Sequence, residues 1–150
     1  MSDVFTSAGT TLGISASAPA TYDDTGFVAL TFTDIGEITD MGEYGREYAL
    51  VTHNPLGDRR TVKRKGSYND GALTMSLGRV PSDAGQVLLL AALDSDDSYS
   101  FEVTLQDGTI QYFTGQVMSY TTNVGSVDQI TGASVTGEID GDIIEVAPAT

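Results

Sequence analysis

The side chains that most often perform acid-base or nucleophilic chemistry are scarce in this chain. His53 is the single histidine, and the chain contains no cysteine. A serine nucleophile would depend on His53 as its base, and no GxSxG sequence is present to hold such a serine. His53 precedes Asn54 and Pro55, a pair typical of a turn, so we interpret it as a surface histidine in a loop. The sequence predicts no catalytic residue and a protein that is not an enzyme.

Ligand-binding patterns are equally weak. The run DSDD, Asp94 to Asp97, resembles the start of a calcium loop but lacks the glycine and the glutamate that an EF-hand requires. We interpret it as an exposed connection between a helix and a strand. Neither GxxxxGK[ST] nor GxGxxG occurs, so no glycine-rich phosphate loop is indicated. The sequence predicts no metal-binding residue and no cofactor-binding residue.

The positive charge of the chain is concentrated in one short segment within the run DRRTVKRKG. Five of the seven basic residues lie there, and Arg46 and Arg79 are the other two. Outside the segment, these two stand against 21 acidic residues, a formal charge of -19, while the whole chain carries -14. The five are Arg59, Arg60, Lys63, Arg64 and Lys65.

This basic segment has three interpretations. It is the solvated face of an exposed strand, where lysines suppress unwanted pairing, or it contacts nucleic acid, or it is a contact surface for an identical acidic subunit. Nucleic acid would be repelled by the acidic remainder, and no cluster of aromatic residues is available to stack bases. We favour the third interpretation, with the first as part of it, because segregated charge lets a chain complement itself head-to-tail.

Length and patterning indicate how these residues are positioned. The 150 residues predict one domain with a substantial core. Residues 1–26 are small and polar and predict an N-terminal arm, residues 27–38 alternate as a strand does, and residues 39–58 predict a long mobile loop. Residues 143–150 predict a short C-terminal tail. The N-terminus lacks a signal-peptide pattern and no run is long enough to span a membrane, so we expect neither Sec export nor a membrane partner.

The second half of the chain predicts two hairpins around one helix. RTVKRKGSY reads as a strand, joined by the turn Asn69 to Gly71 to its partner strand ALTMSLGRV. A helix over about residues 83–93 begins at Asp83, with Gln86 completing a capping box. Its apolar surface comprises Val87, Leu88, Leu90 and Ala91, with Leu89 at its margin.

After the helix, SYSFEVTL and IQYFTGQVMSY form a hairpin around the turn Asp107-Gly108, followed by strands in VDQITGASVTGEI and DIIEV. The predicted fold class is mainly β: a β-sandwich or half-barrel of antiparallel strands with one flanking α-helix.

Several pieces of the chain, in this order, resemble the tail tube (major tail) proteins of long-tailed, non-contractile bacteriophages of the lambda type. They are SAGTTLGIS, FTDIGEIT, KRKGSYNDGALTMSLGRVPSDAGQVLLLAAL, FEVTLQDGTIQYFTGQV and VDQITGASVTGEI. The resemblance implies a fold shared with phage and type VI tubes, and hexameric rings stacked into a virion tail tube. The alternatives are a type VI secretion tube protein or another phage head–tail or tail-tip structural component.

The resemblance also implies a set of contacts. The arm, over residues 1–24, and the loop, over residues 40–58, would mediate contacts between rings. The implied partners are other copies of the chain, a tape measure protein, a tail terminator, a distal tail or baseplate protein, and phage DNA that passes through an acidic lumen without specific binding. Assembly would occur in the cytoplasm of the host bacterium.

We assign the interface between subunits or rings to the basic residues and to aromatic residues of the arm and the loop. They are Arg46, Arg59, Arg60, Lys63, Arg64, Lys65, Phe5, Tyr44 and Tyr48.

Overall fold

Antiparallel strands are the main secondary structure of the protein, which a computed structural model describes over residues 4–148. In chain order the elements are β1 Thr11–Ser15, α1 Asp24–Val28, β2 Thr33–Asp34, β3 Ile38–Asp40, β4 Glu47–His53, β5 Val62–Asn69, β6 Ala72–Gly78, α2 Ala84–Asp94, β7 Tyr99–Thr104, β8 Ile110–Asn123, β9 Gly132–Ile139 and β10 Ile144–Val146. Eight strands form one sheet in the order β2-β1-β7-β8-β9-β6-β3, with β10 also paired to β8. The sheet curls into a half-barrel, and the predicted mainly β class is confirmed.

The core lies on one face of this sheet because its strands alternate apolar and polar side chains. In β6, Leu73, Met75 and Leu77 are buried, while Thr74 and Ser76 on the other face are exposed. Successive side chains of a strand point to opposite faces, so the register of one strand decides which set is buried. The same core contains Leu12, Ile14, Phe101, Val103, Phe113, Val117, Val135 and Ile139.

Helix α2 covers this core, and its cap agrees with the sequence. The Asp83 side chain accepts a hydrogen bond of 3.1 Å from the Gln86 backbone N–H, as predicted for the N-cap. The prediction that the Gln86 side chain completes the capping box is wrong. The Gln86 side chain turns inward, where Nε2 donates to the carbonyl oxygens of Gly36 (3.1 Å) and Gly78 (3.0 Å) and Oε1 accepts from the Val80 N–H (2.8 Å).

The predicted apolar face of α2 is also wrong in part. Leu89 and Ala92 are buried, whereas Val87 is half-exposed and Ala91 is exposed. The reason is the inward position of Gly85 and Gln86, which turns this side of the helix toward the backbone of residues 34–36, at and just after the end of β2.

The N-terminal half departs most from the sequence interpretation. Part of the predicted arm is β1, which pairs with β7 in the main sheet and buries Leu12 and Ile14 completely. Two large apolar residues are enough to anchor β1 in the core, because strands distant in the sequence supply the rest of that core. Residues 1–3 of the arm lie outside the described residues.

The prediction of a strand over residues 27–38 is wrong at its start, because residues 27 and 28 form the end of helix α1. The Asp23 side chain accepts a hydrogen bond of 2.8 Å from the Gly26 N–H, and this cap lowers the pKa of Asp23. Phe27 is fully buried and stacks on Tyr112 with ring centroids 5.2 Å apart. The cap and this long-range contact outweigh the local alternation of apolar residues.

Two further segments contain strands, of which the sequence indicated only the second. The predicted loop over residues 39–58 contains the seven-residue strand β4, which begins just after the short strand β3 and its connection. The short strand predicted in DIIEV is confirmed as β10, which pairs with the first residues of β8 and lies within the predicted tail over residues 143–150. Residues 149–150 of that tail lie outside the described residues.

The two predicted turns have different outcomes. At Asn69 to Gly71 a turn forms, since Gly71 has a φ of 84° and its N–H donates to the Asn69 side chain at 2.9 Å. The predicted hairpin around it is wrong, because β5 pairs with β4 while β6 pairs with β9. The hairpin around Asp107-Gly108 is confirmed by the pairing of β7 with β8, and Gly108 has a φ of 98°.

Neither of the two helices in the described part of the chain is long and apolar enough to cross a membrane.

Candidate assembly interface

Strands β4 and β5 form a separate two-stranded sheet, here called the hairpin (residues 47–69), that stands clear of the main sheet. All seven residues of β4 are exposed. Within residues 4–148, each of the two strands packs closely on the other and on no further element. An isolated two-stranded hairpin is only marginally stable in water. Within this subunit, the hairpin is therefore held mainly by contacts at its root.

The register of the hairpin distributes apolar and cationic side chains over both of its faces. Leu50 is paired with Lys65, and Val51 is paired with Arg64 on the opposite face. The Lys65 ammonium lies 4.7 Å from the centre of the Tyr48 ring, a cation–π contact. Leu50 and Val51 are 66% and 52% exposed. Each face thus offers a partner both apolar area and positive charge.

Arg46 fastens the root of the hairpin to the main body. Its Nη2 donates to Asp142 Oδ1 at 3.2 Å, and its Nε lies 3.7 Å from Asp70 Oδ1. The guanidinium also stacks 4.2 Å from the centre of the Tyr68 ring, and the Tyr68 hydroxyl donates to the same Asp142 oxygen. A hydrogen bond to the Tyr48 hydroxyl raises the pKa of Arg46. Arg46 therefore has an intramolecular role in holding the hairpin.

The structure brings seven of the nine assigned interface residues together in and around the hairpin. Four lie on its strands, two lie in the connection between the strands, and one lies at its root. Their order along the chain is Arg46, Tyr48, Arg59, Arg60, Lys63, Arg64 and Lys65. Their participation in a contact between subunits stays a prediction.

Phe5 and Tyr44 lie elsewhere. Phe5 is 43% exposed in the segment before β1. Tyr44 is half-buried: its ring lies 5.6 Å from that of Phe113, and its hydroxyl donates to Gln111 Oε1. Burial raises the pKa of Tyr44 to about 12, with a smaller contribution from the nearby charge of Glu145. This side chain is committed to contacts within its own subunit.

Sequence reasoning missed the apolar part of the hairpin. Leu56 in the connecting loop is fully exposed, and Leu50, Val51 and Tyr68 are also exposed on the strands. A signal for β4 was present in YALVTH, which is rich in aromatic and β-branched residues. Asp142 was missed as well, and no local pattern links it to Arg46.

The face of the main sheet opposite the core is a second notable surface. Where β6, β9 and the second half of β8 lie side by side, it presents small hydroxyl side chains together with Glu138. No lysine or arginine points outward from these described strands. The hydroxyl residues are Thr74, Ser76, Ser119, Thr121, Ser134 and Thr136.

Residues considered for chemistry take ordinary structural positions. His53 is exposed, as predicted, but it is the last residue of β4 and does not lie in a loop. The DSDD run ends α2 and forms the predicted connection to β7. Among the described residues, no three His, Asp or Glu side chains come together in a way that could hold a metal ion.

Comparison with solved structures defines the class of fold. The chain has a TM-score of 0.72 and 11% identity to a chain of the anti-feeding prophage baseplate, covering 98% of both chains. It has a TM-score of 0.67 and 14% identity to the SPP1 tail tube, covering 94% of this chain and 78% of that one. For a tail protein of a gene transfer agent particle the values are 0.64 and 14%, covering 91% and 96%. The shared feature is the fold of tail and injection-system proteins.

The family follows from the sequence itself. The sequence model of the family described as lambda phage tail tube protein, TTP, matches residues 19–142, and the chain belongs to this family. No curated protein matches the chain. The predicted resemblance is confirmed, as is the prediction of a structural phage tail protein that is not an enzyme.

Proposed function

We propose that this tail tube protein polymerises into stacked hexameric rings, and that the resulting tube is the conduit through which DNA leaves the particle. The observation that carries the proposal is the hairpin. It combines exposed apolar side chains with the main cluster of positive charge on an element that has no core of its own. Its free energy is best lowered by docking on another subunit.

Charge supports an identical subunit as the partner of the hairpin. The chain outside the basic segment carries a formal charge of -19, so any copy presents acidic surface to the cations of another copy. Ion pairs shielded from water between subunits contribute more than exposed pairs and set the register of the contact. Leu50, Val51 and Leu56 add apolar area that water leaves on docking.

We assign the lumen of the tube to the hydroxyl-rich face of the main sheet. This face carries Glu138 and Asp40, and its described strands carry no lysine or arginine. It therefore does not attract the phosphates of DNA. DNA would slide along this face, because no basic side chains displace the counterions from its phosphates and hold it there. On this assignment, the lumen would consist mainly of uncharged hydroxyl groups, and Glu138 and Asp40 would supply the negative charge expected from the sequence.

Family membership supports the remaining partners. A tape measure protein inside the tube, a tail terminator at one end and a distal tail or baseplate protein at the other are the contacts that a tail tube requires. The proposed location is the virion tail, with assembly in the cytoplasm of the host bacterium.

Negative-stain electron microscopy across protein concentration and salt tests the proposal. Wild-type protein is expected to form hollow tubes or six-fold rings that weaken as salt screens the ion pairs. Combined reversal of three charges, Lys63→Glu, Arg64→Glu and Lys65→Glu, should abolish them while circular dichroism shows a folded chain.

A reversal of equal size at a remote surface is the matched control. Asp94→Lys, Asp96→Lys and Asp97→Lys change three exposed carboxylates at the end of α2 and just after it, and tubes should still form. Normal tubes from the hairpin variant, or loss of tubes from both variants alike, would contradict the role of the hairpin.

A further inference from the structure

The end of the main sheet far from the hairpin has its own exposed apolar surface. The turn between β8 and β9, residues 124–131, presents Val124, Val127 and Ile130, which are 64%, 97% and 88% exposed. Two hydrogen bonds close the turn: the Gln129 N–H donates to the Ser126 carbonyl, and the Ser126 N–H donates to the Gln129 side chain. Three aliphatic side chains held outward within eight residues indicate a contact surface.

Carboxylates accompany these apolar side chains. Asp128 lies within the turn, and Glu37 and Ile130 flank Gly78: a Cβ at Gly78 would lie 3.6 Å from Glu37 Cβ and 3.9 Å from Ile130 Cγ2. The guanidinium of Arg79 is nearby but donates to Thr122 Oγ1 at 2.6 Å. We call the set of Val124, Val127, Asp128, Ile130 and Glu37 the turn patch.

Glu37 is placed in this patch against its local preference. Its φ is 62°, a region that favours Gly and Asn over Glu. The backbone is held there because the Gly78 N–H donates to the Glu37 carbonyl at 2.8 Å. Its side chain is exposed, and its carboxylate accepts no hydrogen bond and forms no ion pair within residues 4–148. The fold thus gains nothing from a glutamate here, which indicates a role outside the subunit.

The hairpin and the turn patch lie at opposite ends of one strand. β6 begins after the two residues that follow β5, and it ends at Gly78, which pairs with Gly132 at the base of the turn. Seven strand residues span roughly 20 Å. Two complementary surfaces at opposite ends of a molecule produce heterologous, head-to-tail contacts.

We propose that the turn patch of one copy receives the hairpin of the next copy in the tube. Leu50 and Val51 pack on Val127 and Ile130, and the cations of β5 face Glu37 and Asp128. This inference rests on the proposed function and specifies which surface the hairpin binds.

A single substitution separates this role from a structural one. Glu37→Asn removes the carboxylate and introduces a residue that adopts a positive φ more readily. The Tm is expected to stay equal or rise, while the protein concentration needed for polymerisation rises several-fold. Asp97→Asn, a matched change at an exposed site after α2, should alter neither value. Polymerisation of Glu37→Asn at the wild-type concentration would overturn the inference.

Cross-linking tests the contact itself. The chain has no cysteine, so Leu50→Cys combined with Val127→Cys introduces the only two thiols. A short bifunctional thiol reagent, added under polymerising conditions, should produce a ladder of covalent oligomers on a denaturing gel. The control pair combines Leu50→Cys with Val87→Cys, which is half-exposed on α2, and should produce no ladder.

The outcomes distinguish the two proposals. A ladder from the Val127 pair alone supports the inference. Tubes without that ladder, or equal ladders from both pairs, overturn the inference and leave the proposed function standing. Wild-type protein that forms neither rings nor tubes, together with no ladder, overturns both.

Discussion

The guanidinium of Arg46 and the carboxylate of Asp142, 96 residues apart in the sequence, are joined by a hydrogen bond of 3.2 Å. This contact ties the root of the hairpin to the loop between β9 and β10. It matters because few other side-chain contacts in the described chain orient the hairpin relative to the main sheet. The orientation of the surface proposed for assembly therefore depends on this ion pair and on the Tyr68 ring beneath it.

Arg46→Gln should loosen the hairpin without unfolding the sheet. The variant loses the ion pairs to Asp142 and Asp70 and the stacking on Tyr68, so amide hydrogen exchange should become faster in β4 and β5 and stay unchanged in β6 and β9. Arg79→Gln, at the opposite end of the sheet, is the control and should leave hairpin exchange as in wild type. Unchanged exchange in Arg46→Gln would show that the ion pair does not hold the hairpin.

The free energy of unfolding should fall at alkaline pH, because the partly buried hydroxyl of Tyr44 loses its proton there. Burial raises the pKa of its hydroxyl from 10.0 to about 12, so the folded protein holds this proton more tightly than the unfolded chain does. The contribution of Tyr44 to the free energy of unfolding is complete below about pH 10 and is lost as the pH rises to about 12. Partial exposure of the ring limits it to about 1–2 kcal/mol.

The measurement is the free energy of urea unfolding between pH 9 and pH 12, a range chosen to span roughly one unit below and two above the ordinary tyrosine pKa. Tyr44→Phe has no proton to lose at this position, and its stability should decline less steeply over the range. Parallel declines in the two proteins would argue against a raised pKa at Tyr44.

Gln86→Ala should be strongly destabilising although it removes no apolar core residue. Gln86 is 1% exposed and satisfies the carbonyls of Gly36 and Gly78 and the N–H of Val80. The substitution leaves these backbone groups without a partner at a buried site, at a cost of about 2–4 kcal/mol. Val87→Ala, next along the same helix but half-exposed, should cost less than about 1 kcal/mol. Urea unfolding of both variants measures the difference in free energy of unfolding. Similar losses in the two variants would refute the prediction.

Gly85→Ala should destabilise the protein even though alanine is the better helix former. A Cβ at this position would lie 2.4 Å from the Asp34 carbonyl oxygen and 2.5 Å from Ile35 Cα, both of them backbone atoms. The expected loss is about 1–3 kcal/mol, against an intrinsic gain of about 1 kcal/mol. Gly57→Ala, where no atom lies within 4 Å of the new Cβ, serves as the control in thermal unfolding. A raised Tm for Gly85→Ala would mean that the helix moves freely away from β2.

The elements that the sequence predicted correctly are those whose signals are local. The Asp83 cap acts over three residues, the Asp107-Gly108 turn joins adjacent strands, and the alternation in β9 lies within one segment. The errors fall where distant partners decide. Residues 27–38 alternate as a strand does, yet burial of Phe27 against Tyr112 makes the segment begin as a helix.

The candidate interface was predicted in its charge and missed in its shape. The cluster from Arg59 to Lys65 is visible in the sequence as a departure from the acidic background. The partner of β5 is not visible there, because the turn after Asn69 fits a hairpin with β6 as well as it fits a bend between two sheets. The pairing of β6 with β9 on one edge and with β3 on the other excludes the hairpin, and β5 pairs with β4 instead.

The sequence by itself determined the mainly β class, the position of α2, the family and the segregation of charge, since residue types and short spacings are enough for each. The tertiary structure decided that β4 and β5 leave the sheet, that Arg46 meets Asp142, and that Glu37 stands beside Ile130. These relationships join residues far apart in the chain. They depend on which strand edges pair when the whole core is buried, a free energy that no local segment contains.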